Sequence, residues 1–106
     1  MTPENRQLLL KTACDSVQAA VNKQPAQPAS SSSTDEELNM HCGCFVTLKN
    51  NEELRGCLGQ FTSDKPIIEL VNEMARASAT QDYRFMQDPI TPAELNSLEI
   101  EISVLS

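Results

Sequence analysis

Apolar positions follow different rhythms along this chain. Between Arg6 and Val21 they recur as Leu9, Leu10, Ala13, Cys14, Val17, Ala20 and Val21, the spacing of a helix with one buried stripe. Thr2-Pro3-Glu4 supplies an N-cap, a first-turn proline and a first-turn acid, so the helix is expected over residues 3–21. Cys14 is read as a small hydrophobe on or beside the stripe. From Glu99 to Leu105 the alternation is strict, with Ile100, Ile102 and Val104 on one side and Glu99, Glu101 and Ser103 on the other. That is a half-buried strand. Two shorter runs, Cys44–Leu48 and Glu53–Cys57, flank Asn50-Asn51, and asparagine tolerates the left-handed backbone of a two-residue hairpin turn. With that pair as the loop, Val46 faces Arg55, Thr47 faces Leu54 and Cys44 faces Cys57.

After Pro66, the residues Ile67, Leu70, Val71, Met74 and Ser78 trace a second buried helical face, and Ala75, Ala77 and Ala79 permit close packing. This helix is expected to fade around residues 80–82. Thr91-Pro92-Ala93-Glu94 reads as a capping box that opens a short helix to about Ser97. Between the first helix and the hairpin, QPAQPASSSS (residues 24–33) has the composition of a flexible linker. Thr34-Asp35-Glu36-Glu37 then offers a cap for one turn reaching Leu38 and Met40. The order helix, hairpin, helix, short helix, strand indicates an α+β fold, a mixed or antiparallel sheet with its hairpin packed on helices. Residues 1–106 form one domain or part of one, with the hairpin, helix and strand over 38–106. The sequence stops directly after its clearest strand, which leaves a sheet edge uncovered. Either a partner or self-association covers that edge, or the chain is a fragment.

Fifteen acidic against eight basic residues give a net charge of −7, which disfavours general binding to nucleic acid or an anionic membrane surface. A local basic pocket around Arg55, Arg76 or Arg84 remains compatible with it. No run approaches the roughly 20 apolar residues of a membrane span, and no apolar leader opens the sequence, so a cytoplasmic address is expected. Reduced thiols are then expected for Cys14, Cys42, Cys44 and Cys57.

His41, Cys42, Cys44 and Cys57 are metal-compatible types, but Cys42 and Cys44 have one intervening residue where structural zinc pairs have two to four on a turn. No metal or cofactor is expected. Cys57 is the cysteine with the strongest functional claim. Arg55, two positions earlier, is placed to stabilise a thiolate, and Gly56 and Gly59 remove side chains that block approach. The alternatives are a pocket-lining cysteine and simple packing. Arg55 has five fixed donors suited to a carboxylate or phosphate; a structural pairing with Glu69 or Glu73 competes. In Asp82-Tyr83-Arg84-Phe85, Phe85 reads as a buried anchor, and Asp82 either caps and pairs with Arg84 or belongs to a site.

Gly43-Cys44-Phe45-Val46-Thr47-Leu48 followed by Leu54-Arg55-Gly56-Cys57-Leu58-Gly59 resembles the hallmark of the AMMECR-one domain family, which includes the A component of the AmmeMemoRadiSam system. Asp82, Arg84 and Phe85 resemble its D-x-R-F element, and Thr91–Leu95 with Leu98–Leu105 its closing helix and strand. The resemblance is dense over residues 38–106. It departs at Tyr83, where the family commonly has proline, and at Met86-Gln87. It implies a domain of roughly twice this length, of which this chain is the N-terminal portion without the later strands, in keeping with the uncovered edge, and partners resembling a Memo-type protein and a radical SAM enzyme. It implies no reaction. The favoured reading is an accessory or binding module whose Arg55, Gly56, Cys57 and Gly59 surface, rimmed by Asp82 and Arg84, meets a small anion or a partner protein. The alternatives are an enzyme with Cys57 as nucleophile or redox thiol activated by Arg55, and a purely structural hallmark.

Overall fold

The computed structural model describes residues 2–25 and 36–105. Helix α1 runs Pro3–Val21, and the Thr2 hydroxyl caps it by accepting the Asn5 N–H at 3.2 Å. Leu9, Ala13 and Val17 form the centre of its buried face, with Asn5, Ser16, Ala20 and Val21 beside them. Leu10 and Cys14 each stand one residue further round the helix and are exposed. The expectation that Cys14 joins the core is thereby corrected. Most of the linker (residues 26–33) and Thr34 and Asp35 lie outside the described residues. The turn over 36–39 buries Leu38, and the carbonyls of Leu38 and Met40 accept the first amides of the next helix, from Ile68 and Ile67.

Strands β1 (Gly43–Asn50), β2 (Glu53–Gln60) and β3 (Leu98–Leu105) form a sheet of order β2-β1-β3 with both pairings antiparallel. Cys44, Val46 and Leu48 alternate along central β1 and are completely buried among Leu9, Val17, Leu70, Val71 and Ala75 of α1 and helix α2 (Ile67–Thr80). The fold is therefore α+β, with an antiparallel sheet and its helices packed on the face that carries these residues.

The register differs from the sequence expectation in two steps. The turn residues are Asn51 and Glu52, with φ of 50° and 70°, the double left-handed geometry of a tight primed turn. Arg55 is then an extra residue in β2: Lys49 pairs with Leu54, but Leu48 pairs with Gly56. This bulge carries Thr47 opposite Cys57, Val46 opposite Leu58 and Cys44 opposite Gln60. Cys44 and Cys57 are not partners.

Helix α2 lies flush on β2 at Gly56, where an added Cβ would stand 2.1 Å from the Ser78 carbonyl oxygen. One turn of chain is thereby fixed against the sheet, and the Ser78 hydroxyl donates to Val46 O at 2.9 Å while accepting Leu58 N–H at 3.0 Å. From α2 the chain returns to β3 through a 3-10 turn, Tyr83–Phe85, and a 3-10 helix, Pro92–Ser97. Among the described residues no helix is long and apolar enough to cross a membrane.

Candidate functional site at the β2 bulge

The bulge turns Arg55 toward the helix layer, where it lines a cleft with Ser78, Ala79 and Thr80. Its guanidinium is 6% exposed. Nε and Nη2 donate to the two oxygens of Glu94 at 3.0 and 3.2 Å, a bidentate pair. Nη1 donates to Asp88 Oδ2 at 3.1 Å and Nη2 to the Asp88 carbonyl at 2.9 Å. Glu94 also accepts Asn50 Nδ2 at 3.1 Å and the Thr91 N–H at 3.3 Å. Burial pushes the Glu94 carboxyl up, but the hydrogen bonds from Arg55 and Asn50 outweigh it and hold it below its ordinary value. The bond to Glu94 raises Arg55 further. The partners are Glu94 and Asp88, on the return segment, and not Glu69 or Glu73 on α2.

A second polar hook stands two residues along β2, at Cys57. Asp82, 3% exposed, accepts the Cys57 N–H at 3.0 Å through Oδ2. Its Oδ1 accepts the Arg84 N–H at 3.2 Å and Arg84 Nε at 3.0 Å, while Arg84 Nη2 reaches Oδ2 at 2.6 Å and the Cys57 carbonyl at 3.4 Å. The Arg84 hydrogen bonds hold the Asp82 carboxyl at about 2, against the opposing effect of burial. Asp82 thus caps the Tyr83–Phe85 turn and pairs with Arg84, and together they occupy both backbone groups of Cys57. Arg84 also lies 5.4 Å from the Phe85 ring centroid.

The Cys57 side chain lies on the other face of the sheet from Arg55. It pairs with Thr47, whose hydroxyl is 3.2 Å from Cys57 Sγ. The bulge breaks the two-residue parity that places Arg55 and Cys57 together, and the cation beside Cys57 is Arg84. Gly59, opposite Phe45, has no room for a side chain: a Cβ would meet Cys44 O at 2.1 Å. Both hallmark glycines are thus positions of close approach. Cys44 is fully buried, and desolvation, aided by neighbouring Cys42, pushes its thiol up to about 12. Among the described residues no group of three or more His, Cys, Asp or Glu is gathered as a metal site. The cleft over Arg55 measures about 260 Å³ and is walled by Val21, Phe85, Met86 and Ile90, with Lys23 and Asp82 at its polar side.

The AMMECR1 sequence profile matches residues 10–106. The chain belongs to the AMMECR1 family. It is 44% identical over 64 residues to a protein of Methanothermobacter thermautotrophicus, covering 60% of this chain and 32% of that one. Protein MJ0810 of Methanocaldococcus jannaschii is 41% identical over 73 residues, covering 67% of this chain and 35% of its own length. The crystal structure of the uncharacterized protein PH0010 from Pyrococcus horikoshii superposes with a TM-score of 0.75 at 31% identity, over 92% of this chain and 49% of that one. The chain therefore spans about a third of the length of these curated relatives and about half of PH0010.

Within this AMMECR1 chain, the Leu54–Gly59 hallmark and the Asp82–Phe85 element meet in space, as the two arms of one contact between β2 and the return segment. Sequence reasoning missed Asn50, Ser78, Asp88 and Glu94 as parts of it. Glu94 carried a signal, but only as the capping-box acid. Ser78 was legible as a buried helical position, while its hydroxyl's place between two strands follows from the bulge. Asp88 carried no separate signal.

Proposed function

We propose that this chain is a non-catalytic binding module of the AMMECR1 family, and that its occupant is a partner protein. The docking surface is the rim built by Tyr83 and Met86 beside the cleft. The observation that carries this reading is the contrast within five residues: Asp82 is 3% exposed and fastened to Cys57 and Arg84, whereas Tyr83 is 83% and Met86 60% exposed. A large aromatic and a flexible thioether held outward on a fixed loop are the composition of an interaction hot spot. The hallmark then acts as the support of that loop. Arg55 favours this role over clamping a free anion, because Glu94 and Asp88 already accept four of its hydrogen bonds. Cys57 as a nucleophile draws less support, since Arg55 does not face it.

The family resemblance nominates a Memo-type protein and a radical SAM enzyme as the partners to try. The test is calorimetric titration of this chain with each, produced from the same organism. Binding by one of them that weakens at least tenfold in Tyr83→Ala with Met86→Ala, at unchanged melting temperature, is the expected result. Binding indifferent to both substitutions, or no binding to either protein, would count against the proposal.

A further inference from the structure

The cleft over Arg55 is walled by the ends of α1 and α2 and by the return segment, at the hairpin-turn end of the sheet; Leu105 pairs with Gly43 at the other end. Three ionisable residues line it, Lys23, Arg55 and Asp82. Two of them are already answered from outside its walls. Arg55 gives its donors to Glu94 and Asp88, and Asp82 holds Arg84. Among the described residues Lys23 has no acidic partner. Its backbone is also held in an uncommon place. Helix α1 closes in a Schellman motif, with the Lys23 N–H donating to Ala20 O at 3.1 Å and the Gln24 N–H to Ala19 O at 2.7 Å. Lys23 fills the left-handed position of that motif, with φ of 59°, where glycine is the usual residue.

The remaining walls are apolar: Val21, Phe85, Met86 and Ile90. An unpaired cation beside apolar walls is complementary to an anion that carries a hydrocarbon body. At about 260 Å³ the cleft is smaller than the roughly 300–1,000 Å³ of ordinary ligand pockets, which is too little for a nucleotide. Inorganic phosphate would leave the apolar walls unused. A lysine also offers one mobile point charge on a four-carbon stem, not the fork that grips a phosphate in two places. We propose that this cleft binds a small monocarboxylate with a branched or aromatic body, its carboxylate on the Lys23 ammonium and its body against Phe85, Met86 and Ile90. Removing that body from water supplies affinity, and the ion pair fixes which end faces α1. The site goes beyond the partner surface proposed above. Tyr83 does not line the cleft, and of the two rim residues Met86 alone does. A substitution at Lys23 leaves both rim residues in place, so the two readings fail independently.

The measurement is an amide NMR titration of the 106-residue chain with hydrocinnamate, hydrocinnamyl alcohol and hydrocinnamylamine, which share one body and differ in the end group. Expected is saturable binding of hydrocinnamate with a Kd of a few millimolar, in a titration carried to about 50 mM. The largest shifts should fall at Ala79, Phe85 and Ile90, and the alcohol and the amine should bind about tenfold more weakly. Lys23→Gly suits the left-handed position and keeps the helix end, which circular dichroism checks. It should weaken hydrocinnamate about tenfold, while Lys23→Arg retains binding and Lys23→Glu shifts the preference to the amine. No saturable shift over this range, or equal binding of acid and alcohol, overturns the proposal. So does a Lys23→Gly chain that binds hydrocinnamate as the parent does, which would leave the lysine only its place at the negative end of α1. Shifts that saturate away from the cleft would give the anion a different site and overturn it as well.

Discussion

Arg55 and Glu94, 39 positions apart in sequence, are joined by two parallel hydrogen bonds of 3.0 and 3.2 Å. The pair closes the return segment onto the bulge, and Glu94 is itself only 21% exposed. Removing one member strands the other in a poorly hydrated position. Glu94→Ala and Arg55→Ala are each expected to cost about 3 kcal/mol in urea unfolding. Arg55→Lys should recover little of the loss, because an ammonium cannot make the fork. Full recovery by lysine would show that charge alone matters.

Gly56→Ala tests the helix–sheet contact. The added methyl carbon would meet the Ser78 carbonyl oxygen at 2.1 Å, and that oxygen belongs to a helix backbone that cannot swing aside. The expected loss is about 3 kcal/mol, read as a lower urea midpoint. A variant as stable as the parent would mean that α2 lifts off β2 freely, and the Ser78 bridge with it.

Acid should loosen the Asp82 hook. Its carboxyl titrates at about 2 in the fold against an ordinary 3.8, so the folded pKa lies below the unfolded one. The contribution is complete above about pH 4 and is lost as pH falls from about 4 toward 2. With Arg84 nearly half exposed, screening limits it to about 1–2 kcal/mol. Asp82→Asn should be less stable at pH 7 and show a shallower acid limb. Parallel stability–pH curves for parent and variant would remove Asp82 from that limb.

Thiol alkylation should follow burial. Exposed Cys14 should react first and half-buried Cys57 later. Cys44, buried and with its thiol pushed up to about 12, should stay unmodified until the protein unfolds. Timed iodoacetamide labelling with peptide mass spectrometry reads the order. Cys57 labelled ahead of Cys14 would revive it as an activated nucleophile.

The elements with long periodic patterns were legible in the sequence. Thr2 and Pro3 start α1, Pro66 precedes α2, and the alternation of β3 matches its observed faces. The register of β2 was not. Asn50-Asn51 and Asn51-Glu52 are both acceptable turns on local grounds, and nothing local announces that Arg55 is an inserted residue. The bulge is favoured by what lies far away in sequence: the acids Asp88 and Glu94 that receive Arg55, and the helix backbone at Ser78 that fits only Gly56. A one-residue uncertainty at the turn therefore became an error about which side chains share a face. The partner of Cys57 was misplaced for that reason, and the partner of Arg55 because its acids lie on the return segment.

That inserted residue makes the sheet a partition. Two groups a single glycine apart in the chain, a guanidinium and a thiol, open into separate compartments, one tied to the return segment and one beside Thr47. A probe attached to the Cys57 sulfur would report on the Thr47 side of the sheet while leaving the Arg55–Glu94 pair behind it undisturbed, so each side can be interrogated without silencing the other.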